Sequence, residues 1–355
     1  MLLRALFAVS QAGISYHARL GALEASVKSL QATVAAQNEE IATLKLEKLT
    51  TSNPETDLWT PAKTHVWRPI PINRTQAATL QSASLVHALS DQRLEQLLNK
   101  YGPTFHAADP FAHAVIDDGW LPREFLRAAA AEIPEGRGKD GCNGKGCITF
   151  KRDGLRAYAH YRKTIQPQPD PTLQPHLTLL ISLLRSRRFV GFLERLTGIT
   201  PLLTDPTKSG GGIQASWKGG TLAMHADFNR EMPSSKTGTR RVNTFVFLNE
   251  HWKDEYNGHL ELWDRNLSEC RQRILPSLGR FVVFLSTDFS YHGHPTPLMP
   301  PNGRLRRSLS TYYYSMSTPP ASECVNGDCE TRHEVLWKPL PDEVLGKECR
   351  RPPPA

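Results

Sequence analysis

The sequence predicts an α+β fold: a double-stranded β-helix (jelly roll) core backed by helices and preceded by an N-terminal coiled-coil helix. Three observations carry that reading. Residues 242–248, 260–263, 273–275, 281–285 and 308–316 are short apolar or aromatic runs separated by turns, a spacing that suits a double-sheet barrel with room for a metal between its sheets. Residues 177–196 are leucine-rich and supply one or two helices behind the main sheet. From Tyr16 to Leu49, apolar positions at Leu20, Leu23, Val27, Leu30, Val34, Ile41 and Leu44 alternate three and four apart, with Gln37 and Lys48 in the remaining slots. A seam with β-branched residues at a and mostly leucine at d favours a parallel two-stranded coil. A homodimer or another helical partner through residues 16–49 is therefore expected, the alternative being one amphipathic helix lying on the domain.

Taken in order, residues 1–50 form the coiled-coil helix and 51–104 a Pro- and Thr-rich linker with a short helix. That helix, about 90–100, starts at Ser90-Asp91 and stops at Gly102-Pro103. Residues 105–340 are the main domain and 341–355 a Pro-rich tail. Within the domain, residues 110–118 alternate like a half-buried strand, and Leu121-Pro122 opens a helix running to about Ile133. Residues 136–151 are a Gly- and Lys-rich loop. Lys218-Gly219-Gly220 turns into the strand around 225, and residues 227–241 form a polar loop over its mouth.

The totals limit the function classes. Of 355 residues 39% are hydrophobic and 22% charged, as in a soluble globular chain. The net charge of +8 is spread out rather than gathered into a basic stripe with aromatics between, so nucleic acid is not an expected partner. The apolar run behind Arg4 is too short to span a membrane, and no longer run exists, so no transmembrane segment is expected. Cys142 with Cys147, and Cys324 with Cys329, each bracket a Gly-containing turn. Small disulfide loops, a four-cysteine zinc site and reduced thiols all remain open, and with them the choice between cytoplasm and secretory-pathway lumen.

The chemistry lies between residues 223 and 317. In a strand, His225-Ala226-Asp227 aims an imidazole and a carboxylate the same way. A histidine from a distant strand would complete two histidines and one carboxylate, the ligand set of non-haem Fe(II) oxygenases. His292 and His294 share one side of a strand, so spacing alone does not choose between them. On the last strand Arg306, Ser308, Ser310 and Tyr312 share a face and Arg307 points away. A guanidinium suits bidentate capture of a carboxylate.

These motifs resemble the 2-oxoglutarate- and Fe(II)-dependent oxygenases, in particular their prolyl-4-hydroxylase-like branch. The resemblance covers roughly residues 109–338 and rests on His225-Ala226-Asp227, Asn257-Gly258-His259-Leu260, His292-Gly293-His294-Pro295 and the strand from Arg306 to Tyr314. It singles out His292 as the distal ligand and implies that His225, Asp227 and His292 hold iron at the catalytic centre. It also assigns Arg306, helped by Ser308, to the far carboxylate of 2-oxoglutarate. The implied reaction is hydroxylation of a C–H bond, with a prolyl residue in a peptide or protein as the family expectation and a small molecule as the other substrate class. Fe(II), 2-oxoglutarate and O2 are the implied cofactors, with ascorbate as a candidate reductant. Where many relatives carry a tyrosine on that carboxylate, this chain offers Phe247.

Two rivals share the barrel. One is an inactive cupin-like binding module tethered to a partner by its coil. The other is a zinc hydrolase on the same ligands, for which the sequence offers no evident glutamate as general base.

Overall fold

A computed structural model describes residues 27, 83–117, 119–133, 148–150, 160–166, 168–204, 211–229, 238–338 and 340. The chain divides into two compact units, Met1–Thr56 and Asp57–Ala355. In the first, Val27 is the described residue, helical and exposed. The expected coil over 16–49, the linker, Cys142 and Cys147, most of the 136–151 and 227–241 loops and the 341–355 tail lie outside the described residues.

Among the described residues of the second unit there are five α-helices. Helix α1 is Ala83–Ala88 and α2 is Asp91–Phe105, where the Ser90 hydroxyl caps the start by accepting from the Arg93 amide at 3.2 Å. α2 does not stop at Gly102-Pro103 as expected but runs through to Phe105. Pro103 lies in the last turns and forfeits a single amide bond, while Phe105 is fully buried and anchors the end. Helix α3 (Arg123–Ala131) follows Pro122, and α4 (Pro175–Leu184) and α5 (Arg187–Thr197) are two helices because Ser186 caps the second. Gly198, at φ 70°, ends α5 in the left-handed region.

The strands are β1 (His113–Ile116), β2 (Ile148–Phe150), β3 (His160–Gln166), β4 (Leu203–Thr204), β5 (Gly212–Ala226), β6 (Thr239–Phe247), β7 (Leu260–Trp263), β8 (Cys270–Ile274), β9 (Phe281–Leu285), β10 (His292–His294), β11 (Arg306–Ser315) and β12 (Leu336–Trp337). Their pairings are antiparallel, in the order β1-β9-β6-β11-β5-β10-β7-β8, with β3 and β12 also on β5, β2 on β3 and β4 on β11. Several expectations are corrected here. β2 occupies the end of the supposed 136–151 loop, and β3 was not anticipated. β5 continues through Lys218-Gly219-Gly220 instead of turning there. β6 begins at Thr239, so Arg240 and Arg241 are buried strand residues rather than part of the polar loop.

Alternation along shared strands separates an outer cluster under the helices from an inner one between the folded halves of the sheet. Phe281, Val283 and Leu285 of β9, Val242 and Val246 of β6, and Leu309 and Tyr313 of β11 face outward into one cluster with the helices. Trp120, Phe189 of α5 and Phe281 tie that layer together, with ring centroids 5.0 to 5.7 Å apart. The intervening residues face inward: Phe247, Val282 and Phe284 meet Leu260, Leu262 and Ile274. Those last three come from β7 and β8, at the far end of the strand order from β9. Contact between the two ends requires the sheet to fold over on itself, which gives the jelly-roll-like α+β fold.

If the outer cluster carries the stability, Phe281→Ala should cost about 3–5 kcal/mol in urea unfolding. Leu173→Ala, at a side chain 59% exposed, should stay within about 0.5 kcal/mol of the parent.

Candidate metal centre

Three donors converge between the folded halves of the sheet. β10 lies between β5 and β7, with His292 opposite His225 on one side and Leu262 on the other. Gly293 permits this approach: a Cβ there would sit 2.8 Å from the Ala223 carbonyl oxygen and 2.9 Å from that of Leu222. Asp227 follows β5 directly, two residues beyond His225. Each of the three offers an atom within 4.8 Å of the others. His225 Nε2 is 3.7 Å from Asp227 Oδ1 and His292 Nε2 is 3.5 Å from Asp227 Oδ2. Donors about 2.1 Å from one metal lie between about 3.0 Å apart at a right angle and about 4.2 Å when opposed, so both separations suit a shared ion. His294, equal to His292 on spacing, pairs with Leu222 beyond a bulge and is outside the group.

The protonation states also fit a metal. Nδ1 of His225 faces the Ala223 carbonyl at 2.9 Å and Nδ1 of His292 faces the Ser290 carbonyl at 2.9 Å. Each Nδ1 then carries the proton, leaving Nε2 as a lone-pair donor toward the centre. Burial first, then the neighbouring His292, pushes His225 down to about 3, and burial lowers His292 likewise. Burial alone would raise the Asp227 carboxyl, but Arg240, both imidazoles and Asn243 outweigh it and hold it well below the usual carboxylate range.

Arg240 and Asn243, which sequence reasoning passed over, form a clamp on that carboxylate. Asn243 Nδ2 donates to Asp227 Oδ2, and Arg240 places a guanidinium nitrogen 3.2 Å from the same oxygen. Arg240 Nε donates to Asn243 Oδ1 at 2.8 Å, and its guanidinium lies against the rings of Tyr312 and Phe228, 3.3 and 4.5 Å from their centroids. The expected strand 242–248 already put Asn243 on one face with Phe245 and Phe247, whereas Arg240 lay outside it.

The cosubstrate candidates stand on the same inner face. Arg306 is 6% exposed, donates from Nε to the Gly258 carbonyl at 2.6 Å, and lies 5.2 Å from the Phe247 centroid. Gly258, at φ 74°, leaves room for it, since a Cβ would come within 2.9 Å of Arg306 Cδ. No carboxylate among the described residues pairs with Arg306, and burial pushes it down to about 9. Ser308 Oγ is fully buried with no hydrogen-bond partner among them, an orphaned hydroxyl that an anionic oxygen would satisfy. Phe247, Phe245 and His292 continue the wall toward the three donors, with centroids 6.3 Å apart at each step. Arg307, by contrast, lines a separate 810 Å³ groove that contains none of the three donors. Lys163 of β3 is 3% exposed and also faces inward; burial, then the like charge of Arg306, pushes it down to about 7 against the pull of Asp227.

The segment after β11 closes against this region. Trp337 pairs with His225 across β12 and β5, and the two rings lie 4.7 Å apart. Asn229 donates to the Thr331 carbonyl and accepts from the His333 amide, while Asp288 accepts from the Val325 amide and from His333 Nε2. Cys324 and Cys329 form a disulfide there, which decides among the three states their spacing had left open and removes them from a zinc site. No helix among the described residues is long and apolar enough to cross a membrane.

Metal binding should depend on the clamp. Asn243→Ala is expected to weaken Mn(II) affinity by about 10- to 100-fold in a chelator competition. An unchanged affinity would show that Asn243 does not set the carboxylate's orientation.

Comparison with known proteins gives one family model and several solved structures. Residues 212–314 match the model of the 2OG-Fe(II) oxygenase superfamily. No curated protein matches the chain. Among solved structures, a Trichoplax adhaerens prolyl hydroxylase in complex with a hypoxia inducible factor oxygen degradation domain peptide fragment is 15% identical, with a TM-score of 0.40, covering 63% of this chain and 91% of its own. A Pseudomonas putida prolyl-4-hydroxylase is 18% identical at a TM-score of 0.38, covering 62% of this chain and 96% of its own. The viral collagen prolyl hydroxylase of Paramecium Bursaria Chlorella virus-1 is 13% identical at 0.35, covering 59% and 98%. The matched segment holds all three convergent donors together with Arg306 and Ser308, and on that match the chain carries a 2OG-Fe(II) oxygenase superfamily domain.

Proposed function

We propose that the protein is an Fe(II)- and 2-oxoglutarate-dependent oxygenase that hydroxylates a C–H bond, with a prolyl residue in a peptide or protein as its substrate. The observation that supports this best is the convergence of His225, Asp227 and His292 on one point, on the face where Arg306 and Ser308 stand buried without an anion. In this reading the two Nε2 atoms and the Asp227 carboxylate would hold Fe(II). Arg306 takes the far carboxylate of 2-oxoglutarate with its fork of donors, and the Ser308 hydroxyl donates to the same group. Bound iron would supply the activation of O2 that accompanies oxidative decarboxylation of the cosubstrate.

The chain's own residues do the rest. Arg240 and Asn243 keep Asp227 ionised and oriented, so it remains a ligand at any ordinary pH. The carbonyls of Ala223 and Ser290 fix the tautomers, and Phe245, Phe247 and Phe284 keep water from the inner face. The resemblance of His225-Ala226-Asp227, Asn257-Gly258-His259-Leu260 and His292-Gly293-His294-Pro295 to the prolyl-4-hydroxylase-like branch supports the prolyl substrate.

The test is conversion of 2-oxoglutarate to succinate by the full chain with Fe(II), O2 and ascorbate, alongside a mass-spectrometric search for one added oxygen on proline-containing peptides and on metabolites. Turnover is expected to require Fe(II) and to vanish in His225→Ala and Asp227→Ala. Arg306→Ala should raise the KM for 2-oxoglutarate by at least about 30-fold. Stoichiometric metal uptake with no turnover on any substrate would instead support the binding module, and oxygen added only to metabolites would reject the prolyl assignment.

A further inference from the structure

The inner face holds one more cation than the reading above uses. Across three neighbouring strands, Lys163 of β3 and Arg306 of β11 are both in register with Ser216 of β5. Residues directly opposite in antiparallel pairs project to the same face, so these three form one row. They are 3%, 6% and 1% exposed. With strands about 4.8 Å apart, the Lys163 and Arg306 backbones are separated by about 10 Å, and the short Ser216 side chain between them leaves their long side chains free to converge. The next row is Ile165, Gln214 and Ser308, which brings the orphaned hydroxyl beside the same space.

No carboxylate among the described residues makes an ion pair or hydrogen bond with this row, although Asp227 draws on Lys163 from a distance. Asp227 is the carboxylate at the convergent site, and it is already held by Arg240 and Asn243. Two buried cations facing one space are costly unless an anion enters. The far carboxylate of a 2-oxo diacid meets that requirement, whereas a 2-oxo monoacid has no second carboxylate to place there.

We propose that Lys163 is a second cosubstrate-binding residue, whose ammonium group shares the far carboxylate of the diacid with Arg306 and Ser308. This rests on the oxygenase reading, and it makes the site selective for a 2-oxo diacid over a 2-oxo monoacid through two cations from different strands. β3 then belongs to the functional site, although it lies outside the segment matched by the family model.

The test is binding of 2-oxoglutarate and of 2-oxopentanoate, which lacks the far carboxylate, to the Mn(II)-loaded full chain without O2. Lys163→Met should weaken 2-oxoglutarate by at least about 30-fold and leave 2-oxopentanoate within about threefold, while Lys163→Arg retains most of the diacid affinity. In the ligand-free protein Lys163→Met should raise the unfolding temperature, because it replaces a buried amine with an apolar side chain of similar length. Unchanged diacid affinity, equal weakening of both acids, or a lower unfolding temperature would overturn the assignment of Lys163 alone. A wild-type protein that takes up Mn(II) but binds no 2-oxoglutarate would overturn the oxygenase reading and this proposal with it.

Discussion

The structure depends on the close approach of β10 to β5. His292 can face His225 only because the next residue is a glycine, whose missing side chain lets the short strand lie against the carbonyls of Leu222 and Ala223. A methyl group at 293 would push the strands apart by several tenths of an ångström and separate the imidazoles. The same contact ties β5 to the wing formed by β7 and β8, so closing the sheet and assembling the three donors are one event.

Once the sheet is closed, electrostatics inside it follow from burial. A carboxylate deep in an apolar wall would ordinarily be pushed toward its neutral form. Here Arg240, pressed between Tyr312 and Phe228, and Asn243 reverse that tendency for Asp227. Both histidines are driven neutral by the same burial, and their backbone partners settle which nitrogen is free. The inner face therefore carries an ionised acid, two neutral bases and, on the two strands flanking β5, the cations Lys163 and Arg306. This distribution favours a metal dication at one end and a carboxylate at the other.

The segment after β11 adds a third layer. Trp337 covers one face of the His225 ring, and the stretch around the Cys324–Cys329 disulfide is held to β6 through Glu323 and Arg241, and to Asp288 through Val325 and His333. These contacts restrict approach to the convergent donors on the side where β5 ends.

How much was legible in the sequence depended on distance along the chain. Strand parity is local, so the shared face of Arg306, Ser308 and Tyr312 and the common aim of His225 and Asp227 could be read from spacing, as could the α+β character of the domain. Helix ends followed local rules at Ser90 and Ser186 but failed at Pro103, where burial of Phe105 overrode them. The choice of His292 over His294, the clamp of Arg240 and Asn243, and the placement of Lys163 beside Arg306 depend on which strands pair and in what register. Register is set by the packing of residues far apart in sequence, so the chain's spacing determined the kinds of donor available, and only the closed sheet decided which of them meet.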